Sequence, residues 1–293
     1  MNKSKLMRRE AVEGACYLAP SALMMICFTL IPIVASFLLS FTDYSVLGDP
    51  QFCGIDNYAF FFKDRTAQRA LINSCIYTAV TVPLTAIISL TIAAACAQYF
   101  RGPFGNFIRG ALFLPVVASG AIISTVWVML LSNRGLINVI ALELFDKAIN
   151  FLGSKKISIF VICFINIWKD IGYFAVIYYA GIMDIPVNLY EAAEVDGASS
   201  FQRFIHITLP NLKSVTYLVI TLCTIWSFQA FDIVKILTDG GPGVSTISLV
   251  MVIFRSAFKE YRMGYACAVS MVLLVFVVTV SLIQKAILRK GED

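Results

Sequence analysis

Residues 190–210 read YEAAEVDGASSFQRFIHITLP. The stretch is polar and helix-prone, and it lies between two strongly apolar segments, so it joins two membrane spans rather than crossing a bilayer itself. Pro186, just before it, blocks continuation of the preceding span. Asn188 is placed to cap a helix, with Glu191 three residues on to reach back in a capping box. Leu189 to Val195 has helical composition, Ala192 and Ala193 being the best formers. Gly197 suits the left-handed position that ends a helix. Ser199 then caps a second helix, with Gln202 in the reciprocal place. Phe201, Phe204, Ile205 and Ile207 give that helix an apolar side, and Pro210 ends it. The expectation is a helix–turn–helix at a membrane surface. Ala192 and Ala193 leave it a low profile, and Glu191, Glu194 and Asp196 present negative charge. The residues alone leave two readings open: an amphipathic tie between spans, or a docking element for a partner.

Composition places the stretch in a membrane protein. The chain has 293 residues, of which 59% are hydrophobic and 14% charged, with mean hydropathy +0.82. Soluble domains carry about 25% charged residues, so this chain cannot cover a water-facing globule and is solvated mainly by lipid. Its net charge of +5, one histidine (His206) and lack of a basic run beyond Arg8–Arg9 argue against nucleic acid. Eight scattered cysteines with no CxxC pair read as free thiols acting as small hydrophobes.

A helical span needs roughly 20 mainly apolar residues. Six candidates meet this, at about 15–41, 71–97, 108–131, 157–181, 214–235 and 265–288. They are too long and uniform for barrel strands. Pro20, Pro32, Pro83 and Pro115 are expected to kink or end helices. Lys3, Lys5, Arg8 and Arg9 precede the first run, which is too long for the core of a cleaved signal and reads as a retained anchor. These charges put the N-terminal segment 1–14 inside the cell, and an even span count returns the 289–293 tail to the same side. Counted over all loops, among them Arg101, Arg109 and Lys147, Lys and Arg divide equally between the two sides. Orientation therefore rests on the first span and on the 186–210 loop.

Three groups of residues in that loop, Glu191-Ala192-Ala193, Asp196-Gly197-Ala198 and Ile207-Thr208-Leu209-Pro210, match the order E-A-A, D-G-A, I-x-L-P. Placed between the fourth and fifth of six spans, this resembles the EAA loop of ATP-binding-cassette importer permeases. The carbohydrate branch of that family, which includes the maltose, multiple-sugar and glycerol-phosphate types, is matched along nearly the whole chain. The matching segments are Leu39 to Tyr44, Gly54 to Tyr58, Asn73 to Thr78, Phe113-Leu114-Pro115, Ser227 to Asp232 and the turn from Leu237 to Pro242. Cys53 departs from it, where a small aliphatic residue is more usual.

The resemblance implies an all-α polytopic fold with six transmembrane helices, the MetI-like type I permease fold, with a single permease domain over 15–288. It implies a subunit of a bacterial inner-membrane importer with both termini cytoplasmic. That subunit forms half of the path for a sugar or related carbohydrate. A second, homologous permease would supply the other half, two cytoplasmic subunits would bind ATP and Mg, and an extracytoplasmic solute-binding protein would deliver the cargo. The chain would be no enzyme and would hold no cofactor, in keeping with the lack of a GxxxxGK[ST] phosphate loop. Glu191, Ala192, Ala193, Asp196, Gly197, Ala198, Ile207, Leu209 and Pro210 would then carry coupling to the ATPase.

Polar and aromatic residues inside spans are the candidates for contact with the transported solute: Asn166, Trp168, Lys169 and Asp170 in the fourth, and Trp226, Gln229 and Asp232 in the fifth. Asn166 and Asp170 share a helix face, as do Trp226 and Gln229. A charge at mid-bilayer costs about 2.5–3.5 kcal/mol on insertion scales, so Lys169 and Asp170 must face protein or water. They read either as an internal pair that holds helices together or as path-lining groups. Trp226 and Gln229 supply the stacking surface and amide that sugars need. A competing reading is a secondary transporter driven by an ion gradient, with Lys169 and Asp170 as the coupling site. An intramembrane enzyme would need an HExxH, a GxSxG or paired aspartates at bilayer depth, and the sequence has none of these.

Overall fold

The computed structural model describes residues 3–45, 48–99, 102–146 and 148–288. The expected 289–293 tail, Arg101 and Lys147 lie outside the described residues, as do the side chains of residues 3–12.

In chain order the helices begin with α1 (Lys3–Met25), which runs through a π-turn (Ile26–Leu30) into α2 (Ile31–Leu39). A small hairpin, β1 (Thr42–Asp43) with β2 (Gln51–Phe52), precedes α3 (Asp56–Lys63) and the long α4 (Arg65–Gln98). Next come α5 (Pro103–Val117), α6 (Gly120–Leu131), α7 (Leu136–Phe145) and α8 (Ser158–Met183). The loop under discussion holds α9 (Val187–Val195), α10 (Ser200–Arg203), a second π-turn (Phe204–Thr208) and α11 (Leu209–Asn211). Then follow α12 (Lys213–Phe228), α13 (Asp232–Leu237), α14 (Leu249–Phe258) and α15 (Met263–Leu288). Among the described residues five stretches are long and apolar enough to cross a membrane: Glu13–Leu39, Arg65–Gln98, Gly120–Leu144, Ser158–Met183 and Met263–Ile287. The apolar α12 is shorter.

Two expected spans differ from single helices. The 108–131 run is broken between α5 and α6, where Ala118 is extended and the Ser119 hydroxyl accepts the Ala121 N–H at 3.2 Å. Pro115 lies two residues before that stop, and Ser119 caps a fresh helix start. The 214–235 run ends at Phe228 and resumes at Asp232. Pro83, by contrast, sits within an unbroken α4. Its local cost of about 3 kcal/mol is offset by packing against α8, the most extensive helix contact among the described residues.

The chain forms two compact units: residues 1–63 with 253–272, and residues 64–252 with 273–293. In the first, side chains from Glu13 to Ala35 are exposed along an apolar helix. The turn after α2 is fastened by Asn57, whose Nδ2 donates to the carbonyls of Ser40 (3.0 Å) and Thr42 (2.9 Å). Arg262 lies over the rings of Phe60 and Tyr265, at 4.4 and 4.9 Å.

The second unit is organised by one face of α4. Asn73, Tyr77, Thr81, Thr85 and Ser89 recur every four residues and are all buried. Such spacing places them on a single stripe, and the polar atoms of Asn73, Thr81 and Ser89 reach across to neighbouring elements. Asn73 Nδ2 donates to Val244 O and Ile247 O, both at 3.0 Å, and the Ser74 hydroxyl accepts from Leu249 N–H at 3.2 Å. The hydroxyls of Thr81 and Ser227 are 2.9 Å apart, and Ser89 donates to Ile171 O at 3.0 Å. In lipid, where no hydrophobic force drives helices together, small and polar contacts of this kind supply association. Beside the stripe, α4 also contributes to an apolar cluster. Val82, Ala86 and Ala93 meet Phe174, Tyr178, Ile182, Ile185, Leu212, Val219 and Cys223.

Candidate functional site

The loop folds as two arms meeting at a bend. The first arm begins earlier than the sequence suggests. Pro186 occupies the cap position with φ −57° and ψ 127°, and its carbonyl accepts the Leu189 N–H at 3.2 Å. Asn188 lies inside the helix and does not cap it. The missing N–H of proline costs nothing at a helix start, so the stop for α8 serves equally as the start of α9.

The bend follows its expected chemistry. Gly197 has φ +77°, and the N–H groups of Gly197 and Ala198 reach the carbonyls of Glu194 (3.0 Å) and Ala193 (2.9 Å). The second of these spans five residues, the mark of a Schellman ending. Ser199 and Gln202 then form the reciprocal capping box, at 2.7 and 3.3 Å.

Pro210 does not end the second arm. A π-turn over Phe204–Thr208 precedes it, closed by the Leu209 N–H on Phe204 O, and the helix runs on to Asn211. Pro210 thereby falls in the first turn of a new helical segment, where its N–H is not needed.

The arms are tied at two levels. Arg203 donates to Glu194 at 3.0 Å near the bend. Deeper in, the hydroxyls of Tyr190 and Thr208 meet at 2.9 Å. Glu194 is therefore partly neutralised, and the negative charge left on the open side comes from Glu191 and Asp196. Of the expected coupling residues, Glu191, Ala192, Asp196, Gly197, Leu209 and Pro210 are exposed, while Ala193, Ala198 and Ile207 are half-buried. Ile207 and Tyr190 pack on the apolar cluster. Two large apolar residues stand out from the bend, Val195 at 88% and Phe201 at 70% exposure. The expected apolar side of the second arm is thus split: Phe204 and Ile207 turn inward, Phe201 turns out.

The intramembrane candidates fall into separate environments. Asn166, Lys169 and Asp170 do come together: Asp170 is buried and accepts from Lys169 Nζ at 2.7 Å and Asn166 Nδ2 at 3.0 Å. Both carboxylate oxygens are satisfied, as a charge at this depth requires. Trp168 points elsewhere, edge-on to Trp127 at 5.7 Å, and Trp127 also meets Phe164 at 5.8 Å. Trp226 packs against the touching rings of Tyr173 and Phe174, at 4.9 and 5.2 Å. Gln229, at the end of α12, is exposed, so it does not share Trp226's surroundings. Asp232 is exposed at the start of α13 and lies beside Gly120, in the first turn of α6.

Sequence reading missed the α4 stripe and Trp127. A polar residue at every fourth position of an apolar run is a signal available in the sequence. Asn73, Ser74 and Tyr77 also line a small cavity with Ser227, Thr246 and Ser248.

Residues 139–291 match the family described as the binding-protein-dependent transport system inner membrane component. The Bacillus subtilis probable ABC transporter permease protein YurN is 31% identical over 94% of this chain and 96% of its own length. The trehalose/maltose transport system permease protein MalF of Thermococcus litoralis is 31% identical over 95% and 93%. A solved bacterial alginate ABC transporter, in complex with an alginate pentasaccharide-bound periplasmic protein, superposes with TM-score 0.86. It is 21% identical, over 99% of this chain and 98% of that one.

Proposed function

The chain belongs to the family of binding-protein-dependent transport system inner membrane components, and from that membership we propose that it forms half of the path through an ATP-driven importer of a carbohydrate. A second permease of the same family supplies the other half. A pair of nucleotide-binding subunits holds ATP and Mg on the cytoplasmic side, and a solute-binding protein outside delivers the cargo. Relatives named for trehalose/maltose, arabinooligosaccharides and diacetylchitobiose support a saccharide cargo. Both termini and the 186–210 elbow face the cytoplasm in this reading, which the basic N-terminal segment supports.

One observation carries the proposal. The elbow offers a small, acidic and apolar open face at Glu191, Ala192, Val195, Asp196 and Phe201. Its opposite side is built into the cluster that joins α4, α8 and α12. ATP binding in the partner subunits acts only through a difference in interaction free energy between two pore states. An element fixed to the spans on one side and gripped on the other transmits that difference. The chain itself catalyses nothing; nucleotide chemistry belongs to the partners. Lys169, Asp170 and Asn166, all on α8, close on one another, while Gln229 and Asp232 are exposed polar groups near the end of the fifth span that can meet solute.

The test is the assembled transporter in proteoliposomes. ATP inside should drive solute uptake, and Glu191→Arg should leave the chain inserted but abolish ATPase association. Full-rate uptake by this chain alone under a proton gradient would contradict the proposal in favour of secondary transport.

A further inference from the structure

The elbow's two arms are joined covalently only through Asp196–Ser199, next to a glycine with φ +77°. A bend of that kind flexes unless the arms are tied away from it. The outer tie, Arg203 with Glu194, is a poor stiffener. Glu194 is 72% exposed, and solvent-screened pairs contribute little. The inner tie is different. Thr208 is buried at 5% exposure, Tyr190 is half-buried, and both belong to segments packed against the apolar cluster.

The backbone is arranged to make this contact. A π-turn holds one more residue than an α-turn, so everything beyond it is rotated by about 100° relative to an uninterrupted α-helix. The turn over Phe204–Thr208 ends on Thr208. Without the extra residue the Thr208 hydroxyl would be turned by about that angle from its place beside the first arm. With it, the hydroxyl meets Tyr190 Oη at 2.9 Å.

We propose that the Tyr190–Thr208 hydrogen bond is a positioning latch that keeps the elbow stiff, so that movement imposed at the bend reaches α8 and α12 instead of being absorbed by flexing at Gly197. This rests on the permease reading above and adds two residues to its coupling apparatus. Neither touches nucleotide or solute; both act by holding Glu191 and its neighbours in place.

Two measurements test the latch. The first uses the chain alone in nanodiscs, with spin-labelled residues at Asn188 and Phe201, one on each arm. The wild type and Thr208→Ser should give a narrow distance distribution, and Tyr190→Phe and Thr208→Val a broad one. Equal widths in all four would overturn the latch. The second uses the complete transporter and counts ATP hydrolysed per solute imported. Tyr190→Phe and Thr208→Val should each raise that ratio roughly fivefold, the factor carried by one net hydrogen bond. The double variant should be no worse than either, and Thr208→Ser should match wild type. Broad distributions with an unchanged ratio would overturn the coupling role while leaving the permease reading intact. Failure of the wild-type complex to import with ATP would overturn the permease reading, and the coupling role with it.

Discussion

The hydroxyls of Thr81 and Ser227, 146 residues apart in the chain, lie 2.9 Å from each other in the buried seam between α4 and α12. The pair is the middle rung of a polar ladder that starts at Asn73 and ends at Ser89. Each rung is modest, since interhelical hydrogen bonds in lipid average about 0.6 kcal/mol and reach about 1.7. Ser227→Ala and Thr81→Val should each lower stability by about 1 kcal/mol in a detergent unfolding titration. The double variant should lose no more than the larger single. Additive losses would show that the two side chains act through different partners.

Gly172 is a steric requirement. A β-carbon there would collide with the Leu112 carbonyl oxygen, backbone that cannot step aside. Gly172→Ala should therefore drive α5 and α8 apart and cost more than about 1–3 kcal/mol, the usual range for overpacking. Thermal unfolding of the purified chain checks this. A transition unchanged within error would mean that α5 is not seated on α8 as described.

The Lys169–Asp170 pair predicts asymmetric mutational costs. Removing only the lysine leaves a buried carboxylate with Asn166 as its one remaining partner, and breaking such a pair costs about 3–5 kcal/mol. Lys169→Met with Asp170→Leu removes both charges and should recover most of the loss. Expression and unfolding of the single and double variants decide it. A double variant as unstable as the single would point to a task beyond mutual neutralisation.

Solute contact is tested most cleanly at Gln229. Trp226 packs against the rings of Tyr173 and Phe174, so Trp226→Ala loses packing worth about 3–5 kcal/mol as well as any stacking on a sugar. Gln229 is exposed. Gln229→Ala should leave unfolding unchanged and impair uptake, read as a higher KM for solute. Normal uptake would remove Gln229 from the path.

How much of this was legible in the sequence depends on the kind of signal each feature leaves. Long apolar runs announce spans, because a bilayer demands backbone bonds satisfied within the segment. The bend at Gly197 and the Ser199–Gln202 box were also readable, since both are local chemistry. The break at Ala118–Ser119 was readable only as far as Pro115 announces a bend or an end nearby, and the stop at Gln229–Phe231 was not, because only a cap or the packing of a neighbouring helix says where a helix stops. Pro83 and Pro210 misled for the reverse reason. Proline marks a lost N–H, but a long helix–helix contact in one case and a π-turn in the other absorb it. The Tyr190–Thr208 tie was invisible, because it depends on a one-residue shift of register that propensity does not encode.

The central claim is that the elbow around Glu191 is gripped by a cytoplasmic ATPase and moves the spans. A photo-crosslinking residue at Ala192, exposed beside Glu191 in α9, tests it in the assembled transporter. The account predicts a crosslink to the nucleotide-binding subunit, with a yield that changes when ATP is added. A crosslink to the external solute-binding protein, or none to any nucleotide-binding subunit, would contradict it.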